Sequence, residues 1–168
     1  PNSPTATTQS IAPPSCNGGN NGSISLSVSG GTAPYSYAWS DGSNNANLSA
    51  ASGTYSVTIT DQAGCSTVLS SSTIPVQPAI QASVTSTDVD CNGNPGSASV
   101  NATGGAGGFT YLWSTGGTTA SITNLQPGLY FVLITDQNGC TVSDTATVLQ
   151  AVPVSIDQIN PTAALCAG

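Results

Sequence analysis

Five cysteines carry the side chains most able to do covalent chemistry here, and their spacing is regular. Cys16, Cys91 and Cys166 follow one another in steps of 75 residues, and the same 75 separates Cys65 from Cys140. A thiol can ligate a metal, attack as a nucleophile or pair as a disulfide. A zinc or iron–sulfur site is not indicated: the cysteines stand singly beside Gly-rich turns, with no CxxC pair and no His. Activated nucleophiles need a base, and His, Lys and Glu are all absent. The seven acids are all Asp, and no pair of them recurs at a spacing that would make an acid/base dyad. No catalytic residue and no cofactor site is assigned, which points away from an enzyme. Disulfide formation remains, and with it an oxidising, extracellular compartment.

Composition narrows the partners. There is no Lys and no Arg, and the net charge is −7 over 168 residues. Nucleic acid and anionic membrane are excluded as partners because both require cations to neutralise phosphate. No apolar run approaches the ~18 residues of a membrane span, so membrane insertion is not expected. Without Lys, isopeptide cross-linking and sortase-type polymerisation are unavailable, and trypsin-like proteases find no cleavage site. Hydrophobic residues make up 38% of the chain, too many for a disordered polymer.

The cysteine period belongs to a tandem repeat. One copy runs from Cys16 through Gly22 and Trp39 to Gly53-Thr54-Tyr55 and Cys65. The second runs from Cys91 through Gly96 and Trp113 to Gly128-Leu129-Tyr130 and Cys140. Within each, apolar residues alternate with Ser and Thr, which is the strand signal. Ile24, Leu26 and Val28 form one face, matched by Ala98, Val100 and Ala102. Tyr35, Tyr37 and Trp39 are matched by Phe109, Tyr111 and Trp113. Tyr55, Val57 and Ile59 are matched by Tyr130, Val132 and Ile134. Gly-Gly pairs at 30–31 and 104–105 and the Asp-x-x-Gly tetrapeptides at 61–64 and 136–139 mark turns. The expectation is all-β: tandem Ig-like or PKD-like β-sandwich repeats of about 75 residues. Repeat 1 spans 1–75 and repeat 2 spans 76–150. Residues 151–168 begin a third repeat or complete the second as an added strand. Trp39, Trp113, Tyr55 and Tyr130 are expected to anchor the cores rather than to stack sugars.

The residues Gly30-Gly31-Thr32-Ala33-Pro34-Tyr35-Ser36-Tyr37-Ala38-Trp39-Ser40, followed by Gly53-Thr54-Tyr55 through Cys65, resemble the SprB-type repeat. The second copy departs from that pattern at Gly107-Gly108-Phe109 and at Leu129. The resemblance implies long surface proteins of Bacteroidota exported by the type IX route, among them adhesin filaments of gliding cells. It implies a structural and adhesive role, and it transfers no catalytic residue. A carbohydrate-binding array and a spacer within a larger secreted enzyme are the alternatives.

Three disulfide pairings are open: within a copy (Cys16–Cys65, Cys91–Cys140), between adjacent cysteines (Cys65–Cys91, Cys140–Cys166), and the skip pairing Cys16–Cys140. Within a copy, the two cysteines are expected at opposite ends of the sandwich, beyond the ~7 Å Cα limit of a bridge. The adjacent pairing is favoured. In it, residues 66–74 and 79–90 form a long hairpin about Pro75-Val76-Gln77-Pro78 that Cys65 and Cys91 close, leaving Cys16 unpaired.

Three further features stand out. Leu129, Phe131 and Leu133 replace Thr54, Ser56 and Thr58 of the first copy, and Leu112 replaces Ala38. A strand apolar on both faces is usually covered, so these four residues form a candidate assembly face toward neighbouring repeats of the same chain or other copies in a filament. Asp144-Thr145-Ala146 fits an O-glycosylation pattern with Thr145 as acceptor. Asp88-Val89-Asp90-Cys91-Asn92-Gly93-Asn94 resembles the opening of a calcium loop, but Ser99 stands where its bidentate Glu belongs, and it reads as turn chemistry.

Overall fold

The computed structural model describes residues 2–152. The described residues form twelve strands and no helix. The first unit contains β1 (Thr5–Ala12), β2 (Gly22–Ser29), β3 (Ser36–Trp39), β4 (Leu48–Ala50), β5 (Gly53–Thr60) and β6 (Ser66–Ile74). Its sheets have the orders β1-β2-β4 and β3-β5-β6. The second unit repeats this with β7 (Gln81–Thr87), β8 (Gly96–Thr103), β9 (Thr110–Trp113), β10 (Ser121–Leu125), β11 (Gly128–Thr135) and β12 (Thr141–Val148). Its sheets are β7-β8-β10 and β9-β11-β12. Every ladder within a sheet is antiparallel. The chain changes sheet between its second and third strands, again between the third and fourth, and again between the fourth and fifth. That interleaving is an Ig-like sandwich with six strands.

Alternation along each strand decides which face is buried. In β5, Val57 and Ile59 are buried, and in β11 Val132 and Ile134 are. They meet Ile24, Leu48 and Ile74 in the first core, and Ala98, Ile122 and Val148 in the second. Trp39 and Trp113 lie within these cores at 4% and 1% exposure. Each indole N–H finds a backbone acceptor at 2.9 Å, the carbonyls of Asn45 and Thr119 respectively. That satisfies the one polar atom a buried Trp brings with it. Tyr55 and Tyr130 are half-buried beside the cores. Their hydroxyls donate to the carbonyls four residues upstream, Ala51 at 3.0 Å and Gln126 at 2.7 Å. This tyrosine corner pins the crossing from the fourth strand to the fifth.

The expected hairpin between residues 66–74 and 79–90 does not form. β6 pairs with β5, and β7 pairs with β8, so the two segments belong to different sandwiches. The edge position of each explains this. β6 closes the first unit against β1, where Thr8 and Ser72 share a hydroxyl hydrogen bond of 3.0 Å. β7 closes the second against β12, where Ser86 donates to the Thr147 carbonyl at 2.7 Å. The Pro75–Pro78 stretch is a connector between bodies, not a turn.

Truncating Trp113 leaves a large void in the second core and no way to refill it. Trp113→Ala is expected to cost that unit about 3–5 kcal/mol and to leave the first unit's unfolding transition in place. Guanidinium unfolding followed by circular dichroism reads both transitions, and an unchanged second midpoint would contradict this packing.

Candidate functional site: the stapled junction

β2 and β5 run toward the same end of the first unit, and that end is where the chain comes in. There Gly31 lies against the Asp61 carboxylate, 2.8 Å from where a Cβ would sit, and against the backbone of Pro4. Gly31 also has φ of +63°, so both conformation and space call for glycine. The second unit has the same arrangement, with Gly105 at φ +52° against Asp136. This upstream end carries Cys65 in unit one and Cys140 in unit two. The opposite, downstream end carries the turns of Cys16 and Cys91.

Asp61 and Asp136 organise the upstream ends and are themselves buried. Asp61 Oδ2 accepts the Thr32 N–H at 2.9 Å, and Oδ1 accepts the Cys65 N–H at 2.8 Å. Asp136 repeats this with Ala106 and Cys140, each at 2.9 Å, and also accepts the Asn138 N–H at 2.9 Å. One carboxylate thus ties the Gly-Gly turn to the cysteine turn and fixes where the thiol stands. Both carboxyls are held below the usual 3.8. The Thr32 and Ala106 N–H groups are the strongest causes; burial opposes them, and the amides of the Asp-x-x-Gly turn add to them. Sequence reading placed these residues only as turn formers, because the second anchor, 29 or 30 residues away, has no local signature.

The downstream end of unit one meets the upstream end of unit two, and the contact is covalent. Cys16 and Cys140 form a disulfide with Cα atoms 5.7 Å apart, across 124 residues of sequence. Polar contacts flank it. Asn138 Nδ2 donates to the Ser15 carbonyl at 2.9 Å, and Asn17 Nδ2 donates to the Gln77 carbonyl of the connector at 2.7 Å. Pro78, Ala79 and Ile80 line the open seam beside the bridge, a cleft of about 490 Å³. Its only carboxyl, Asp136, already accepts three backbone N–H groups.

This corrects the favoured pairing. Cys65 and Cys91 are unpaired among the described residues, the first half-buried and the second exposed. Cys140, expected to bridge to Cys166, bridges to Cys16 instead; Cys166 itself lies outside the described residues. The reason is the failed hairpin. With β6 and β7 in separate sandwiches, Cys65 and Cys91 stand at the two outer ends of the pair, while Cys16 and Cys140 are brought together at the seam.

The remaining sequence candidates lie away from the seam. Leu112, Leu129, Phe131 and Leu133 share the outer face of the β9-β11-β12 sheet, exposed by 53%, 61%, 56% and 42%. Leu112 and Leu133 are direct cross-strand partners. Thr145 is exposed on the edge strand β12, with its N–H donating to Asp144. Asp88 and Asp90 do not converge: Asp88 accepts the Leu149 N–H, while Asp90 accepts the amides of Asn92 and Asn94 and the Asn94 side chain. Asp90 is held below its usual value chiefly by Asn94.

The Asp136 cradle has a signed pH dependence. A carboxyl depressed below 3.8 in the fold contributes stability that is fully present above that value and is lost as pH falls below it. Asp136→Asn turns one acceptor oxygen into a donor and leaves an N–H facing an N–H. Its thermal midpoint is expected to lie several degrees below the parent at pH 7, with the gap closing in acid below the carboxyl's usual range. Equal midpoints at neutral pH would remove the cradle from the account.

The SprB repeat family model matches residues 8–44 and 83–118, one stretch in each unit. No curated protein matches the chain. Among solved structures, the amphioxus IgVJ-C2 molecule is 13% identical, with 88% of this chain and 97% of that chain covered at a TM-score of 0.35. The fibronectin(III)-like modules of Clostridium thermocellum CbhA are 14% identical, with 87% and 95% covered at a TM-score of 0.33. Two matches of nearly equal length, in register with the cysteine period and one in each sandwich, make this chain similar to the SprB repeat over those two stretches.

Proposed function

We propose that this chain is a structural and adhesive segment of a long extracellular surface filament, serving attachment or surface motility. The observation that carries this reading is the junction. Two units similar to the SprB repeat sit end to end, and a disulfide reaching over 124 residues clamps the seam between them. Such a bridge forms in an oxidising compartment and serves a protein that is pulled. The described residues contain no helix long and apolar enough to cross a membrane. The carbohydrate-binding alternative finds less support, because both Trp side chains are buried and Phe131 is the one exposed aromatic among the described residues. The spacer alternative uses the same mechanics, and the two separate on what the full chain attaches to.

A second part of the proposal concerns the apolar outer face. Leu112, Leu129, Phe131 and Leu133 meet another copy of the chain in the filament, a contact the first unit cannot make because it carries Ala38, Thr54, Ser56 and Thr58 there. Restoring the first unit's residues with Leu129→Thr, Phe131→Ser and Leu133→Thr is expected to abolish concentration-dependent association in sedimentation velocity while leaving the fold intact. Association that persists unchanged assigns the contact elsewhere.

The mechanical reading is tested by stretching the chain from its ends. With the bridge intact, the 124-residue loop stays locked even when both sandwiches unfold. Reduction should release roughly 400–450 Å of additional contour length, at about 3.3–3.6 Å per residue. Single-molecule force spectroscopy with and without reductant reads this directly. Equal extension under the two conditions would sink the proposal.

A further inference from the structure

We infer that Cys91 and Cys65 are the open halves of further junctions of the same kind, so that each first cysteine pairs with the second cysteine of the unit that follows. The bonded pair defines the rule. Cys91 is the 75-residue equivalent of Cys16, and Cys65 is the equivalent of Cys140. The partner implied for either thiol is therefore another copy of this unit presenting its complementary end, and a second copy of this chain supplies both ends.

The surroundings of each thiol support the equivalence independently. Cys65 hangs from Asp61 as bonded Cys140 hangs from Asp136, with N–H to Oδ1 distances of 2.8 and 2.9 Å. Beside Cys16, the outgoing chain is held at Gln77 by Asn17. Beside Cys91, the outgoing chain is held one step earlier. Val89 donates to the Leu149 carbonyl at 3.0 Å, the Ala151 N–H donates back to Val89 at 2.9 Å, and Gln150 forms a parallel bridge with Val89. Residue 152 corresponds to Gln77 by the same period, and the chain at 149–151 runs beside Val89, two residues before Cys91. The Gly at the turn tip has φ of +73° in the Cys16 loop and +82° in the Cys91 loop. The Cys91 loop is one residue shorter, and Asn92 stands where Asn17 does.

Cys65 and Cys91 do not bridge each other within one chain. They stand at the far ends of two stacked sandwiches, each built on eight-residue strands about 26 Å long, against a limit of about 7 Å between bridged Cα atoms. Between chains the geometry is heterologous: a downstream end meets an upstream end, and the product is an open series rather than a closed dimer. The chemistry is thiol–disulfide exchange. The Cys91 and Cys65 thiols lose two protons and two electrons to form one S–S bond, and an oxidised low-molecular-weight disulfide such as oxidised glutathione takes them up as two thiols. The pairing rule rests on the observed bridge and the period alone, so a failed adhesive role would leave it standing.

The chain itself is the test, in a Cys166→Ser background that removes the remaining thiol. Incubated at high concentration with oxidised glutathione, it is expected to give a ladder of multimers on a non-reducing gel. An endoproteinase cutting before Asp places all five cysteines on separate peptides. The multimers should yield the 61–87 peptide joined to the 90–135 peptide, with the 16–140 bridge intact. Cys65→Ser and Cys91→Ser should each remain monomeric alone, and an equal mixture of the two should give a dimer and nothing larger. Homotypic 65–65 or 91–91 peptides, a 65–91 link inside monomers, or failure of the mixture to dimerise would each overturn the inference. Retention of the 16–140 peptide in every variant shows that the fold survived.

Discussion

A disulfide closes only where two Cα atoms come within about 7 Å, and each sandwich keeps its two cysteines at opposite ends. That separation is a matter of strand direction. β2 leaves the first cysteine and β5 arrives at the second, and both run the same way between the same two sheets. A bridge within one unit would have to cross the length of the core. The only short distances open to these thiols are across a seam, between the downstream end of one unit and the upstream end of the next. The junction therefore follows from the fold of a single repeat together with the path of the connector.

The upstream end must be rigid for such a seam to be reproducible, and a chain without cations has few means of making it so. With no Lys or Arg, no carboxylate can be paired with a side-chain charge. Asp61 and Asp136 use backbone N–H groups instead, drawn from two turns that are distant in sequence. Charge-assisted bonds of this kind are stronger than neutral ones, and they act on the residue that carries the sulfur. The glycine beneath each carboxylate has a second role: a Cβ at Gly31 or Gly105 would occupy the space the oxygen needs. The carboxylate, the Gly-Gly turn and the cysteine turn form one unit of local structure, present once per repeat.

How much of this was legible in the sequence divides along physical lines. Period-two alternation decides which side chains face inward, so the strands containing Ile24, Val57, Ile59, Val132 and Ile134 could be read directly, and the all-β class with them. The tyrosine corner was invisible because its acceptors, the carbonyls of Ala51 and Gln126, are backbone groups with no residue signature. The disulfide was misread for a different reason. Residues 66–74 and 81–87 are adjacent in sequence and both strand-like, and a short Pro-bounded link between such segments reads as a hairpin. Whether neighbouring strands pair or part depends on what each edge closes against. β6 has β1 to close against and β7 has β12, and neither contact can be read from the segments themselves. The departures of the second copy at Leu129, Phe131 and Leu133 were legible as a difference between copies, since comparison within one chain supplies its own reference.

A pairing rule that joins each unit to the one that follows has a consequence that a bridge within each unit would not have. Its loops overlap. Residues 16–140 form one closed loop, and a loop opened at Cys91 begins before that one ends, so every residue of an array lies inside at least one loop. Tension then follows the shortest covalent path, which crosses a bridge, walks the 26 residues from a second cysteine such as Cys65 to the next first cysteine, Cys91, and crosses another bridge. Those 26 residues reach about 90 Å when fully extended. The two folded sandwiches they span have strands that alone occupy about 26 Å each. An array bridged in this way less than doubles in length even with every sandwich unfolded, whereas the same 150 residues without bridges would reach roughly 500 Å. The unequal division of the 75-residue period into 49 and 26 sets this limit: the shorter the span between a second cysteine and the next first cysteine, the less a fibre can yield before a covalent bond must break.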